Sequence, residues 1–537
     1  MLRIHNIKLP LSYTESLLTQ TAAKALNVPA AQITQCRIAK KSVDARKKND
    51  VCFVVSIDVS LKRTQDEQRI AARMKPSVGG FVKPYTPPAW HKITPVPMVR
   101  PVVVGFGPAG LFAALTLAES GTCPIVLERG QDVETRTKDV ARYWQEGAPG
   151  FSPASNVQFG EGGAGAFSDG KLNTGTKDSR AEHILHSLVR FGAPEDILID
   201  AKPHIGTDKL AGVVKNIRLR ILECGGEVRF GARMTKLLRK DGRITALRYE
   251  DAQGEHEMPA QHVILAIGHS ARDTFTTLYE DQFSLIQKPF SMGARIEHPQ
   301  TLINHAQYGA AAENPALGAV DYKLALHLPS GRSVYTFGMC PGGTVVAAAS
   351  EPDSVVTNGM SVYARDKENA NSALLVGIGP EDFGSEHPLA GMYLQREIER
   401  RAFVLGGCTG KAPCQLVGDL LEGRASTEIR SVRPSYLPGV VPCNLGELLP
   451  IPIISAMREA LPLLGRKLRG FDCPDAVITG PETRSSSPIR IPRSQELESV
   501  DAAGLFPCGE GAGYAGGITS AAVDGMRCAE AVLAQLR

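Results

Sequence analysis

Apolar positions follow three different rhythms along this chain, and each predicts a different element. Val102, Val103 and Val104 are three β-branched residues in a row, the pattern of a strand buried on both faces. Leu111, Leu115 and Ala118 then recur at helical spacing, Gly121 stops that helix, and "CPIVLE" supplies a second buried strand. Near the N-terminus Phe53, Val55, Ile57, Val59 and Leu61 alternate with other residues, as a half-buried strand requires. "HVILAIG", ending at Gly268, reads as a further buried strand. The stretch "GLFPCGEGAGYAGGITSAAVDGMRCAEAVLAQL" reads as strand, glycine loop and helix.

These rhythms divide the chain. Residues 1–75 predict a small α+β module, with strands at "LRIHNIKL", "ITQCRIA" and "VCFVVSIDVSL" and a helix from Tyr13 to Leu26. Residues 76–98 form a connector in a proline-rich stretch; proline fixes φ and donates no ladder hydrogen bond, so it reads as extended. Residues 99–280 and 476–537 predict two parts of one α/β nucleotide-binding domain. Tight turns at Asp241-Gly242 and Gln253-Gly254 mark short hairpins within the first part. Residues 281–475 predict a mixed α+β substrate or cap domain that interrupts it. Within that stretch "VGIGPEDFG" at Val376 imitates a dinucleotide loop. Its glycine spacing is too long and Glu381 and Asp382 would face a pyrophosphate, so it reads as a loop.

Composition narrows the class. The 537 residues are 43% hydrophobic and 22% charged, with a formal net charge of +4, an ordinary globular balance that argues for no polyanionic partner. No run of 18 apolar residues is present, so no membrane partner is expected. The eleven cysteines are scattered without a C-x-x-C pair, and the twelve histidines form no metal pattern. That predicts reduced thiols, a cytoplasmic location and no metal. Basic residues crowd "RIAKKSVDARKKND", which reads as a solvated loop, with an RNA or anion patch as the alternative.

The chemistry concentrates in the first βαβ unit. Gly105, Gly107 and Gly110 have the spacing G-x-G-x-x-G: the first for a tight turn, the second for close approach of a pyrophosphate, the third for helix–strand packing. Pro108 sits in the first helical turn, where a missing N–H is tolerated, and Ala109 follows it. Glu128 lies 18 residues past Gly110, near the place of an acid that binds a ribose hydroxyl, and Arg129 comes next.

Together the fingerprint, the "AIG" at Ala266 and the terminal glycine loop resemble the Rossmann-like FAD-binding fold of glutathione reductase and fumarate reductase type. The strings "FGEGGAGAFSDGKL", "PFSMGARIEHPQ", "VVTNGMSVYARD" and "TRSSSPIRI" resemble a mostly uncharacterised family of bacterial FAD-dependent dehydrogenases, over nearly the whole chain. The resemblance implies non-covalent FAD. It implies that Gly105, Gly107 and Gly110 meet the pyrophosphate, Glu128 the adenosine ribose, and Met234 the adenine. Gly268 is similar to the glycine of an "ATG" turn, with isoleucine replacing the threonine. Gly509 and Glu510 are similar to a Gly-Asp pair that reaches the ribityl phosphate region, with glutamate in place of aspartate. The loop Gly162, Gly163 to Gly165, with Ser168, is similar to the segment beside the flavin ring.

Four further features are candidates for catalysis. A helix starting at Gly517 and Ile518 would aim free N–H groups at a reduced, anionic flavin. Arg484 and Arg490, among three serines in "TRSSSPIRIPR", suit a carboxylate or phosphate; a solvated polar loop is the other reading. His298 beside Glu297 offers an acid–base pair, though a lone loop histidine is more often structural. Cys340 precedes a Pro-Gly-Gly turn at the end of "VYTFGM" and offers a redox thiol; no partner cysteine is near in sequence, so a disulfide would need Cys508 to approach in space, and as a buried cysteine it would only pack.

The expectation is therefore an FAD-dependent oxidoreductase that exchanges a hydride with a small, anionic organic substrate. NAD(P)H, if used, would be a transient donor at the flavin face, because no second fingerprint is present. The alternatives are a flavin-dependent RNA-modifying or RNA-binding protein and a non-catalytic flavin sensor. Nucleic acid is not the expected partner, and the sequence carries no mark of an oligomeric state.

Overall fold

The computed structural model describes residues 1–537. Its three consecutive valines form the middle strand of a five-stranded parallel sheet. The order across it is Leu505–Pro507, Val263–Leu265, Val102–Val104, Ile125–Leu127, Glu227–Arg229. The helix Pro108–Glu119 follows the first of these strands in sequence, and ten of its twelve residues, Ala109–Ala118, are buried, so it is covered on all sides. The helix Ile518–Gln535 lies against it so closely that a Cβ on Gly525 would overlap the carbonyl of Ala109. A three-stranded meander, Arg233–Lys240, Arg243–Asp251 and Gly254–Pro259, sits beside the sheet, with its turns at the two expected glycines.

The cap is a second, larger sheet. Its order is Ala325–His327, Ser333–Ala347, Asn369–Ile378, Phe290–Pro299, Val477–Glu482, Ala412–Leu416, Val440–Pro442, with Thr357–Met360 paired to the long strand Ser333–Ala347. Both middle strands are buried almost throughout, and the helix Ile451–Lys467 contributes seven buried residues to the same core. Val477–Glu482 therefore belongs to the cap sheet, and the chain returns to the nucleotide domain only after it, later than the expected boundary at 475. The segment at Val376 is no free loop either. It is the end of the strand Asn369–Ile378 followed by a 3₁₀ turn, Pro380–Asp382.

Residues 2–81 form an antiparallel four-stranded sheet in the order Ile33–Asp44, Cys52–Leu61, Leu2–Leu9, Gly79–Phe81, with helices Glu15–Leu26 and Thr64–Arg73. This is the split βαββαβ topology of ferredoxin-like modules. Thr14 caps the first helix by accepting from the Leu17 N–H at 3.2 Å, and Asn27 ends it in the left-handed conformation. The fourth strand extends the module six residues past the expected limit of 75. The basic run begins inside the second strand rather than in a loop, and Arg3, His5, Lys40, Ser42, Val54 and Ser56 line a shallow pocket on that sheet.

The connector is extended but not free. Ile93 N–H donates to the Ser120 carbonyl at 2.8 Å, and the Tyr85 ring stacks on His186 with centroids 3.8 Å apart. Trp90 and Ile93 pack on the core of the nucleotide domain.

Candidate functional site

A cavity of about 370 Å³ opens at the carboxyl ends of the parallel strands and runs to the underside of the cap sheet. That is where open α/β sheets bind ligands. Gly105, Gly107, Pro108, Ala109, Glu128, Arg129, Gly163, Ser168, Met234, Gly268, Glu510, Gly517 and Ile518 all line it. Gly110, Gly162 and Gly509 stand behind it. A Cβ on Gly110 would overlap the carbonyl of Gly105, so this glycine serves close packing of helix on strand. A Cβ on Gly509 would lie 2.8 Å from the Ala109 Cβ, with a similar effect. Gly162, at φ +84°, turns the loop toward Val214.

The loops interlock through backbone contacts. Gly163, at φ +59°, lies so near Gly107 that a Cβ on it would be 2.8 Å from the Gly107 Cα. Glu128 is buried, and its carboxylate accepts from the N–H groups of Phe106 at 2.7 Å, Gly130 at 2.8 Å and Gly160 at 2.9 Å. It ties three loops together before it meets any ligand. Arg129 pairs with Asp273 at 2.8 Å and lies over the Phe159 ring. Ser168 closes its own loop, donating to the Gly165 carbonyl at 2.8 Å and accepting from Gly170 N–H at 3.1 Å.

Arg136 was invisible to motif reading. It is fully buried without a carboxylate partner, and its guanidinium donates to the carbonyls of Asn156, Val157, Gly160 and Glu161 at 2.7–3.3 Å. Burial lowers its pKa to about 10, still far above neutrality, so the charge is kept. A single cation thus moulds the glycine-rich loop.

Neither the helix Pro108–Glu119 nor the helix Ile518–Gln535 has a side-chain N-cap, and both begin at the cavity wall. Their first N–H groups have no intrahelical partner, and helix dipoles add positive potential there. Two uncapped N-termini on one cavity fit the pyrophosphate and the reducible ring of a flavin dinucleotide. Between them Glu510 has its carboxyl pushed up to about 7 by burial, against the opposing pull of Lys288 and the Gly517 N–H.

The catalytic candidates fare differently. His298 is a correction: it is fully buried in the cap core, away from the cavity, with Nε2 donating to the Phe471 carbonyl at 2.8 Å. Glu297 does not pair with it, because neighbours on a strand point to opposite faces. Glu297 instead accepts from Ser435 Oγ at 2.5 Å and Asn369 Nδ2 at 3.0 Å. Burial pushes the His298 imidazole down to about 4 and keeps it neutral.

Arg484 lines the cavity, but its guanidinium is occupied. It donates to both carboxylate oxygens of Glu399, at 3.0 and 2.6 Å, and to Ser270 and Ser350. A ligand would have to displace one of these partners, so an Arg484 anion grip is not preformed. Arg490 lies apart, over the Tyr514 ring. His269, which sequence reading passed over, lines the cavity beside this network. Burial, together with Arg484 and Arg272, holds its imidazole at about 3.

Cys340 lines the cavity from the middle of the strand Ser333–Ala347. The expected Pro-Gly-Gly turn is a pair of register shifts within that strand, forced where the backbone at Gly342, φ +45°, comes against the Arg365 carbonyl. The thiol donates to the Gly338 carbonyl at 3.1 Å, and burial pushes its pKa up rather than down. Cys508 also lines the cavity, and its thiol lies in a buried group with Cys528 and Asp524, ligand atoms within 4.8 Å of one another. Arg493 occupies that Asp524 carboxylate at 2.7 and 2.9 Å, so the group is a closed ion pair rather than a cation site. Beyond Cys340 the cap end of the cavity carries Asp169, Lys171, Asn358 and Glu482.

A doubly wound parallel sheet with a glycine fingerprint, an inserted meander and a cap over the carboxyl ends defines an FAD-dependent oxidoreductase fold. Residues 289–485 match the family model described as "FAD-dependent protein, C-terminal domain-like", and residues 1–60 match a domain of unknown function. The chain belongs to a family of uncharacterised FAD-dependent proteins: it is 47% identical, over 99% of its length and 98% of the relative's, to an uncharacterised protein of Clostridium beijerinckii. It is also 30% identical to digeranylgeranylglycerophospholipid reductase 2 of Methanopyrus kandleri, over 32% of this chain and 38% of that protein. Among solved structures it is similar to a flavin-dependent brominase, with 12% identity, TM-score 0.37, and coverage of 82% of this chain and 80% of that one. A geranylgeranyl bacteriochlorophyll reductase-like protein of Thermoplasma acidophilum gives 12% identity, TM-score 0.36, and coverage of 81% and 79%. No helix of the structure is long and apolar enough to cross a membrane.

Proposed function

We propose that the protein binds FAD non-covalently in this cavity and exchanges a hydride between it and a small anionic organic molecule held against the cap sheet. When bound, the flavin supplies hydride chemistry at its N5. The chain supplies position, exclusion of water and electrostatic field. The N-terminus of the helix Pro108–Glu119, with Gly107 and Gly163 pared of side chains, accommodates the pyrophosphate. The N–H groups at Gly517 and Ile518 favour negative charge that develops on the ring. The cap strands around Phe337, Cys340 and Asn358 close the far end. NAD(P)H, where it serves as donor, docks transiently at the same face.

The observation that carries this reading is the continuity of one cavity from Glu128 and Met234 at one end to Lys171 and Cys340 at the other. The test is anaerobic reduction of the purified yellow protein by NADH and NADPH, then reoxidation by a panel of keto acids, enoates and quinones. Heat or acid should release intact FAD. A flavin that no donor bleaches and no acceptor in the panel reoxidises would support the sensor reading instead.

A further inference from the structure

The cap end of the cavity holds an ionic group whose charges do not cancel. Asp169 is buried, and Arg365 grips it with Nε at 3.0 Å on one carboxylate oxygen and Nη2 at 2.5 Å on the other. The Lys171 ammonium lies 2.9 Å from the same carboxylate, whose two oxygens are already engaged by the arginine. Lys171 Nζ is shielded from solvent yet makes no hydrogen bond of acceptable geometry. One carboxylate thus faces two cations, and one positive charge is left over.

Asp200 acts on Arg365 from outside the cavity wall, and no carboxylate lining this end is left without a cation of its own. Arg295 and Glu482 form a closed pair, with Nε and Nη2 at 2.6 and 2.9 Å from the carboxylate. Cys340 stays a thiol, because burial raises its pKa. Asn371 stands directly across from Cys340 on the neighbouring strand. Its Oδ1 accepts from Arg295 Nη1 at 2.8 Å, which fixes Nδ2 as a donor, and Nδ2 has no partner. Lys171 and the thiol line the cavity itself, and the unpartnered Asn371 amide stands behind the thiol. Native proteins leave few such groups unsatisfied, so a missing acceptor is the economical explanation. The missing piece must bring acceptors and a single negative charge, and the space is enclosed by the cap strands and the glycine loop.

We propose that Lys171 is the anchor for the carboxylate of a small organic acid, with Arg365 and Asp169 as the positioning residues that hold its ammonium in place. This rests on the reading of the cavity as the site of an anionic substrate, and it adds the recognising residue and the class of acid. No proton or electron moves in this step; it is binding alone. It also shifts the anion grip from Arg484, whose N–H groups are taken, to a residue whose ammonium is ion-paired but makes no hydrogen bond of acceptable geometry.

The experiment titrates the FAD-loaded protein with pyruvate, succinate, inorganic phosphate and neutral acetamide, followed by flavin difference spectra and by calorimetry. The wild type should bind a carboxylate in preference to acetamide and to phosphate. Lys171→Met should keep its flavin and weaken carboxylate binding at least tenfold, the scale of a charge-assisted hydrogen bond. Lys171→Arg should restore most of it, and Asp169→Asn, which loosens the hold on the ammonium, should weaken it less than Lys171→Met does. Should Lys171→Met fail to hold flavin, Lys171→Gln carries the same comparison. Equal carboxylate affinity in wild type and the neutral variant, at full flavin content, overturns the assignment of Lys171. Tighter phosphate than carboxylate overturns the class. A wild type that binds no anion better than acetamide overturns the anionic-substrate reading itself, an outcome visible before any variant is made.

Discussion

Arg272, in the first turn of a nucleotide-domain helix, and Glu399, on a cap helix, form a two-pronged ion pair at 2.8 and 2.8 Å, both fully buried. Arg484 grips the same carboxylate, and Arg272 also reaches Glu351 at 2.6 Å. The two domains thus share one desolvated network. Its carboxyl at Glu399 is held far below the ordinary range despite burial, chiefly by Arg272 and Arg484. Glu399→Gln should cost about 3–5 kcal/mol in urea unfolding, because it leaves the buried Arg484 with no carboxylate partner and Arg272 with Glu351 alone. The sign with pH follows from the lowered pKa: the stabilisation is present above about pH 4.3, the unfolded value, and fades as pH falls below it. An acid-side stability profile identical in wild type and Glu399→Gln would dispose of this account.

Two glycines three positions apart should fail in different ways. A Cβ on Gly107 would make only an ordinary 3.6 Å contact with Gly163, whereas one on Gly110 would overlap the Gly105 carbonyl. Gly107→Val should therefore fold normally and be purified colourless, its side chain standing where a pyrophosphate would lie. Gly110→Val should lose soluble folded protein. Full flavin content in Gly107→Val would remove this loop from the cofactor site.

Thiol labelling separates packing from reactivity. Cys340 is 2% exposed with its pKa raised by burial, while Cys408 is exposed. Iodoacetamide at neutral pH should modify Cys408 first and Cys340 among the slowest, since the thiolate is the nucleophile. Rapid loss of Cys340, mapped by peptide mass, would restore a redox role for it.

Glu510 gives a signal on the alkaline side. Burial raises its carboxyl to about 7, so folding favours the protonated form. The contribution of the neutral acid is complete below about pH 4.3 and is lost as pH rises through about 7. Flavin-free protein should therefore lose melting temperature between pH 5 and pH 8 more steeply than Glu510→Gln does. Parallel curves for the two proteins would count against it.

What was legible in the sequence is what the chain encodes locally. The strand, glycine turn, helix and acid from Val102 to Glu128 lie within 27 residues, and the hairpin turns at Gly242 and Gly254 are dipeptide signals. The His298 and Glu297 pairing was wrong for a reason also local: strand alternation sends them to opposite faces. Cys340 misled because Pro-Gly-Gly reads as a turn, while the close approach of the Arg365 backbone keeps the segment in a bulged strand. Lys171 lacked any signal, because its meaning depends on Arg365, brought to Asp169 from 196 positions away. Arg136 was equally silent, since its partners are carbonyl groups, which every residue carries.

The parallel sheet has a consequence in time. Val104 and Leu505, two strands apart in one sheet, are separated by about 400 positions, and the whole cap is made between them. At about 5–20 residues per second of synthesis, the first strand waits roughly 20–80 s for the sheet's last strand to emerge. The N-terminal module has all its strands long before then, whereas the cap receives its strand Val477–Glu482 only shortly before Leu505. During that interval the helix Pro108–Glu119, apolar on every side, lacks the helix that covers it. The nascent chain is thus expected to be a client of holding chaperones at that surface, and release from them to coincide with the arrival of Gly525 against Ala109.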